Sequence, residues 1–216
     1  MAANTRLLAF TLYPGVTPLD LVGPLTVLRD LKVGSPYRTV VVAERVEPMR
    51  TDSSLQIVPA ATFADVPEPF GVIVPGGGRA TLDALADETL LAYVRSAARR
   101  AAVVGATGNG ALVLAAAGLL AGRRVATHWA YVDALQGFGA TYVADPWVED
   151  GVYLTAAGGT AGIDAMLHLS VRLKNASRAR LAQLAMEYDP QPPYAIDRRA
   201  GDPELAAWLR TEPVAS

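Results

Sequence analysis

The chain alternates short apolar runs with stretches of helical period. Arg6 to Leu12 is an apolar run of strand length, closed by Pro14-Gly15. Thr17-Pro18 opens a helix to about Asp30, with Thr at the cap and Pro at the first helical position. Tyr37 to Ala43 is rich in β-branched residues and predicts a second strand; Leu55 to Val58 predicts a short third. Gly71 to Val74 is a buried strand that runs into Pro75-Gly76-Gly77-Gly78. Glu88 to Arg100 sets Leu90, Leu91, Val94 and Ala98 on one helical face. Ala101 to Ala106 is another buried strand, Gly108-Asn109-Gly110 a tight turn, and Ala111 to Ala117 an alanine-rich helix stopped by Gly118. Trp129 to Gln136 reads as a helix, and Tyr142 to Ala144 and Val152 to Thr155 read as short strands. Gly158-Gly159 leads into a helix from about Thr160 to Lys174, and Ser177 to Glu187 is read as the last helix. Strands alternating with helices predict an α/β fold: a three-layer sandwich whose mostly parallel sheet carries helices on both faces.

In such folds ligands bind beyond the carboxyl ends of the strands. Those ends carry Pro14-Gly15, Gly76-Gly77-Gly78 and Gly108-Asn109-Gly110. The glycines do not form a nucleotide site: Gly105 to Gly110 lacks the third glycine of the dinucleotide pattern, and no Gly-Lys-Ser/Thr loop occurs, so no cofactor is expected. The 216 residues contain no cysteine, which excludes a disulfide framework, a thiolate metal site and a cysteine nucleophile. With His128 and His168 as the sole histidines, a metal site built by the protein is not expected either. Nineteen Lys and Arg against 21 Asp and Glu, net −2, argue against a nucleic-acid coat or a polybasic membrane anchor. The run Leu7 to Leu12 is too short for a signal-peptide core, and no long uncharged apolar stretch predicts a transmembrane helix. The expectation is a cytoplasmic protein with one domain over 1–216. Residues 190–216 form a C-terminal arm beyond the proline-rich Asp189-Pro190-Gln191-Pro192-Pro193.

Several segments carry a resemblance. Gly108-Asn109-Gly110-Ala111-Leu112-Val113-Leu114 is followed by Ala117-Gly118-Leu119-Leu120, Gly122-Arg123-Arg124 and Ala126-Thr127-His128-Trp129. Leu19-Asp20-Leu21-Val22-Gly23-Pro24, Val74-Pro75-Gly76-Gly77, Thr160-Ala161-Gly162-Ile163-Asp164 and Glu187-Tyr188-Asp189-Pro190-Gln191-Pro192-Pro193 match as well. Together, from Leu7 to Pro193, they resemble the DJ-1/PfpI superfamily (class I glutamine-amidotransferase-like), and more narrowly its isonitrile hydratase branch. The resemblance implies a flavodoxin-like fold and a homodimer. It also implies a strand-to-helix elbow whose cysteine attacks the substrate, assisted by an acidic residue on the first helix. Here the acid is kept as Asp20, while the nucleophile position is Gly108 and the following threonine is Asn109. Thr107 lies one position early, where alternation points its hydroxyl elsewhere.

Each residue has two readings. Asp20, three residues after Thr17, fits a capping-box-like helix start; the resemblance instead turns it into the pocket as an acid–base group. Gly108 relieves a strained elbow or enlarges the pocket. Asn109 donates an amide into the pocket or caps the helix. The amides of Gly76, Gly77 and the Gly108 turn are expected to bind a substrate oxygen. Arg79 either pairs with an anionic ligand or is solvated, the latter being favoured, and His128, a substrate-site candidate, is read as mainly a structural hydrogen-bonding residue. Trp129 and Trp147 are read as packing residues. The leading expectation is an enzyme acting on a small organic molecule without a covalent intermediate, by hydration, dehydration, isomerisation or cyclisation. The alternatives are a non-catalytic protein that binds a ligand or a partner, and isonitrile hydration by water activated at Asp20.

Overall fold

The computed structural model describes residues 5–32, 34–197 and 201–211. In chain order the strands are β1 (Arg6–Thr11), β2 (Tyr37–Ala43), β3 (Met49–Arg50), β4 (Gln56–Ile57), β5 (Ala61–Thr62), β6 (Gly71–Val74), β7 (Val103–Ala106), β8 (Arg124–Val125), β9 (Thr141–Tyr142), β10 (Trp147–Asp150) and β11 (Tyr153–Ala156). The helices are α1 (Pro18–Leu28), α2 (Arg79–Ala84), α3 (Glu88–Ala98), α4 (Ala111–Ala116), α5 (Val132–Gly137), α6 (Gly159–Leu173), α7 (Ala176–Ala185) and α8 (Pro203–Thr211). Seven strands form the central sheet in the order β10-β11-β7-β6-β1-β2-β5. All neighbours run parallel except β10, which pairs antiparallel with β11. Two small ribbons, β3–β4 and β8–β9, lie outside it.

Residue alternation divides the core into two layers. Leu8, Phe10, Ile73 and Val103 pack with Leu21, Val27 and Leu28 of α1 and Ala165, Met166 and Leu169 of α6. Ala9, Val72, Val74 and Val104 share the opposite cluster with Leu90 and Val94 of α3, Leu112 and Val113 of α4, and Leu135 of α5. The predicted three-layer α/β sandwich is therefore observed. Its strand order places a topological switch point between β1 and β6: the chain leaves β1 toward β2 and β5, then returns to β6 on the other side. Parallel sheets open a crevice at such a point, beyond the carboxyl ends of the strands.

Several details differ from the sequence reading, which also did not foresee β3, β5 and α2. α1 stops at Leu28 and tightens into a 3₁₀ turn over Arg29–Lys32. Trp129–Tyr131 is a 3₁₀ turn before α5. β10 escaped prediction because it is an edge strand with Val148 as its one fully buried residue. The C-terminal arm is not all extended, and Ser177 to Glu187 is not the last helix, because α8 follows. Its start is capped by Asp202, whose Oδ1 accepts from the Leu205 amide at 2.9 Å, with Pro203 in the first turn. α8 docks on the turn before α5: Tyr131 Oη donates to Leu209 O at 3.0 Å and Arg210 Nη1 to Ala130 O at 2.7 Å. Among the described residues no helix is long and apolar enough to cross a membrane.

Close approach of α1, α6 and the end of β7 depends on glycine. A Cβ on Gly162 would lie 2.7 Å from Thr107 Cγ2 and 3.2 Å from Pro24 Cγ, and one on Gly23 would lie 3.2 Å from Ile163 Cγ1. Replacing a mid-helix glycine by alanine normally stabilises by about 1 kcal/mol. At Gly162 the buried, hydrogen-bonded Thr107 cannot retreat, so overpacking of roughly 1–3 kcal/mol outweighs that gain. Gly162→Ala is expected to lower the thermal midpoint. Gly137→Ala, with nothing within 4 Å of the added Cβ, is expected to hold or raise it. Thermal denaturation of the two variants checks the sign.

Candidate functional site

The three glycine turns that the sequence set at the sheet edge meet at the switch point. The Thr17 amide donates to Gly76 O at 2.8 Å, and the Thr107 amide to Val74 O at 3.1 Å. A Cβ on Gly77 would sit 2.6 Å from Gly15 O, and one on Gly110 only 2.3 Å from Val74 O. No larger residue fits either contact, so these glycines set how closely the turns pack.

Gly108 occupies the elbow between β7 and the turn into α4, with φ +56°, the left-handed region that disfavours a side chain. The Asp20 carboxyl lies against it. A Cβ on Gly108 would meet Asp20 Oδ2 at 2.3 Å; one on Gly76 would meet the same oxygen at 2.4 Å; one on Gly159 would meet Oδ1 at 2.8 Å. Glycines from three separate elements thus leave a space that one carboxyl fills, and Asp20 is only 6% exposed. Burial pushes its pKa up to about 7; the Gly76 amide opposes the shift and the Asp52 carboxylate adds to it. The capping reading is corrected. Thr17 makes no side-chain cap bond, its hydroxyl donates instead to Asp52 Oδ2, and the Asp20 carboxyl faces the glycines.

Around this centre the polar groups are already engaged. Thr107 Oγ1 donates to Asp20 O at 2.9 Å, so its hydroxyl is structural, as alternation required. Asn109 does not cap the helix; its side chain is braced against the glycine loop. Its Nδ2 donates to Gly78 O at 2.7 Å, and its Oδ1 accepts from Thr81 Oγ1 at 2.9 Å and the Gly77 amide at 3.2 Å. The Gly77 amide also reaches Thr81 Oγ1 at 2.8 Å, so Gly77 has no free donor for a substrate. Tyr13 Oη lies 2.7 Å from Pro75 O and 2.9 Å from Thr81 Oγ1 and shares its one proton between them. Burial raises the Tyr13 phenol well above its ordinary value, which keeps it neutral. Tyr13, Thr81 and Gly159 went unnoticed in the sequence because their partners lie tens of residues away and no local motif marks them.

His128 accepts a hydrogen bond from the Ala130 amide on Nδ1 at 3.3 Å and packs beside Trp129 and Tyr131. Burial holds its imidazole below the ordinary value. The neighbouring Thr127, not His128, touches the elbow, through Oγ1 to Gly108 O at 3.0 Å. Arg79 is solvated and pairs with Asp83 at 3.4 Å. Trp147 stacks on His168 at 4.3 Å between ring centroids, away from Asp20's glycine cage. Among the described residues no cluster of three or more His, Asp or Glu is arranged to hold a metal.

A raised carboxyl pKa links this site to stability. The unfolded carboxyl titrates near 3.8 and the folded one near 7, so the contribution of protonated Asp20 is complete below about pH 4 and is lost as pH rises through 7. Asp20→Asn removes that loss. The variant is expected to be more stable than wild type at pH 8, by an amount on the order of a few kcal/mol, with the difference shrinking toward pH 4. Urea unfolding across this range checks it, and a pH-independent difference would contradict it.

Comparison with known proteins places this geometry. Residues 6–171 match the model of the DJ-1/PfpI family. The chain is 41% identical over 200 residues to an isonitrile hydratase of Pseudomonas putida, a match covering 92% of this chain and 84% of that one. A solved THiJ/PfpI family protein from Pseudomonas syringae superposes with a TM-score of 0.84 at 37% identity, covering 96% of this chain and 84% of its own. Drosophila melanogaster DJ-1beta shares the fold at a TM-score of 0.76 and 19% identity, over 86% of this chain and all of that one. The family model spans most of the chain and the relative is 41% identical over 92% of it, so the chain belongs to the DJ-1/PfpI family.

Proposed function

We propose that this protein is an enzyme that performs noncovalent acid–base chemistry on a small organic molecule, with Asp20 as the proton-transferring group. The observation that carries this reading is the fit of the Asp20 carboxyl into the space at Gly108, 2.3 Å from where a Cβ would stand. A nucleophilic side chain at position 108 and this placement of Asp20 exclude each other, so the carboxyl takes over the reacting position. Its pKa of about 7 lets it give and take a proton near neutrality, where a positioned acid or base contributes roughly 10²- to 10⁴-fold. In this reading the Gly108 and Asn109 amides serve as donors, since the Gly77 amide is held by Asn109 and Thr81 and the Gly110 amide by Thr107 O.

The reaction class is addition or removal of water, isomerisation or cyclisation. The relative named isonitrile hydratase suggests the first probe. In isonitrile hydration Asp20 donates its proton to the terminal carbon, and water adds to that same carbon. The carboxylate then takes the proton released by the water, and tautomerisation gives the N-formyl amine. One isonitrile and one water yield one formamide, with no covalent enzyme intermediate.

A second reading, a ligand-binding protein without turnover, is favoured by the burial of Asp20 at 6% exposure, which narrows the route to its carboxyl. Asp20→Asn separates the two. For an enzyme, turnover falls by about 10²- to 10⁴-fold while ligand binding, read by calorimetry, is retained. For a binding protein, function survives intact. Formamide release from an alkyl isonitrile by wild type, against an Asp20→Ala control, tests the substrate class. No product above the control rules out isonitriles.

A further inference from the structure

The segment leading into α1 is held from outside the sheet by the β3–β4 ribbon. The Gly15 amide donates to Arg50 O at 2.9 Å, Val16 bridges Thr51, and the Asp52 amide donates to Val16 O at 3.2 Å. Thr51 is fully buried, and its Oγ1 donates to Leu55 O at 2.8 Å, which fixes the ribbon's turn. These contacts set the exposed Asp52 beside Thr17, whose hydroxyl donates to Asp52 Oδ2. Thr17 is a junction. Its amide donates to Gly76 O at 2.8 Å, and its carbonyl accepts from the Asp20 amide at 3.0 Å. An N-cap threonine ordinarily turns its oxygen inward to the helix amides; this one turns outward to a carboxylate.

We propose that Asp52 is a positioning residue for Asp20: Thr17 and the β3–β4 ribbon hold its carboxylate beside the turn that carries Asp20, and that fixed negative charge favours the protonated acid. The inference rests on Asp20 being the proton-transferring group. Asp52 itself touches no reacting atom and acts through charge and through Thr17. Like charges disfavour joint ionisation, and the effect is stronger where one partner is buried. Two ionisable groups are coupled to Asp20 through charge: Asp52 from the ribbon and Tyr13 from just beyond β1. Tyr13 is neutral at the pH concerned, so Asp52 supplies the charge. Burial leaves the Asp52 carboxyl above its ordinary value, and the Thr17 hydroxyl bond opposes that shift and so works toward the ionised form.

The test is a carbon-13 NMR titration of the Asp20 carboxyl in wild type, Asp52→Asn, Asp52→Glu, Thr17→Val and Thr17→Ser. The Asp52→Asn substitution keeps an acceptor for Thr17 and removes only the charge. It is expected to lower the Asp20 midpoint by about half a pH unit, the scale of a like charge across partly solvated protein. The difference should shrink in high salt. Thr17→Val should lower it too, while Thr17→Ser and Asp52→Glu retain the wild-type midpoint. A folded Asp52→Asn protein with an unchanged Asp20 midpoint overturns the proposal. Because the titration reads Asp20 directly, its outcome is independent of turnover, and a failed acid–base reading shows separately as Asp20→Asn with full function.

Discussion

One steric fact organises the site: three glycines that are distant in sequence, Gly76, Gly108 and Gly159, leave room for a single carboxyl, and Asp20 fills it. A methyl group at any of the three would collide with an oxygen of that carboxyl. Close backbone approach is what glycine permits, and here it comes from the ends of two parallel strands and the start of α6. The cost is a charged group shielded from water, and the protein meets it by raising the carboxyl's proton affinity rather than by pairing it with a cation. Stability is therefore linked to pH, because the burial that raises the Asp20 carboxyl also makes its ionised form unfavourable.

The surrounding polar network keeps the turns rigid. Tyr13, Thr81 and Asn109 join the ends of β1, β6 and β7 through short buried hydrogen bonds. Breaking one would leave a buried donor or acceptor unpaired, which costs about 1–3 kcal/mol. Asn109, next to the elbow, thereby acts as a brace. It fixes the glycine loop against the elbow and so fixes the walls of the Asp20 space. A rigid frame of this kind suits catalysis by positioning, since a group held in one geometry need not reorganise as charge moves.

Relatives within the family set this chain in contrast. Likeness to an isonitrile hydratase extends over most of the chain, yet no cysteine exists anywhere in the 216 residues. The elbow keeps its left-handed backbone at Gly108 without a side chain to display. At that elbow the Asp20 carboxyl fills the space where a side chain on residue 108 would begin. The ribbon β3–β4 adds a second carboxylate at the mouth of the same turn, so the local field is acidic on both sides of Thr17.

The sequence by itself determined the layering, because the continuous apolar runs Leu8 to Phe10 and Val72 to Val74 require a sheet covered on both faces. It also located Asp20 and Gly108, whose neighbours carry local motifs. It misjudged what lacked a local signal. The Thr17–Asp20 spacing fits a cap, but Asp52, brought in by a ribbon 35 residues further on, takes the Thr17 hydroxyl instead. Asn109 at a helix start fits a cap, but Thr81 and the glycine loop bind its amide instead. The tertiary structure alone decided these assignments, and it alone revealed Gly159 and Tyr13. A hydrogen bond or a steric fit is settled by which groups come within about 3 Å, and in a parallel sheet those groups arrive from strands far apart in the chain.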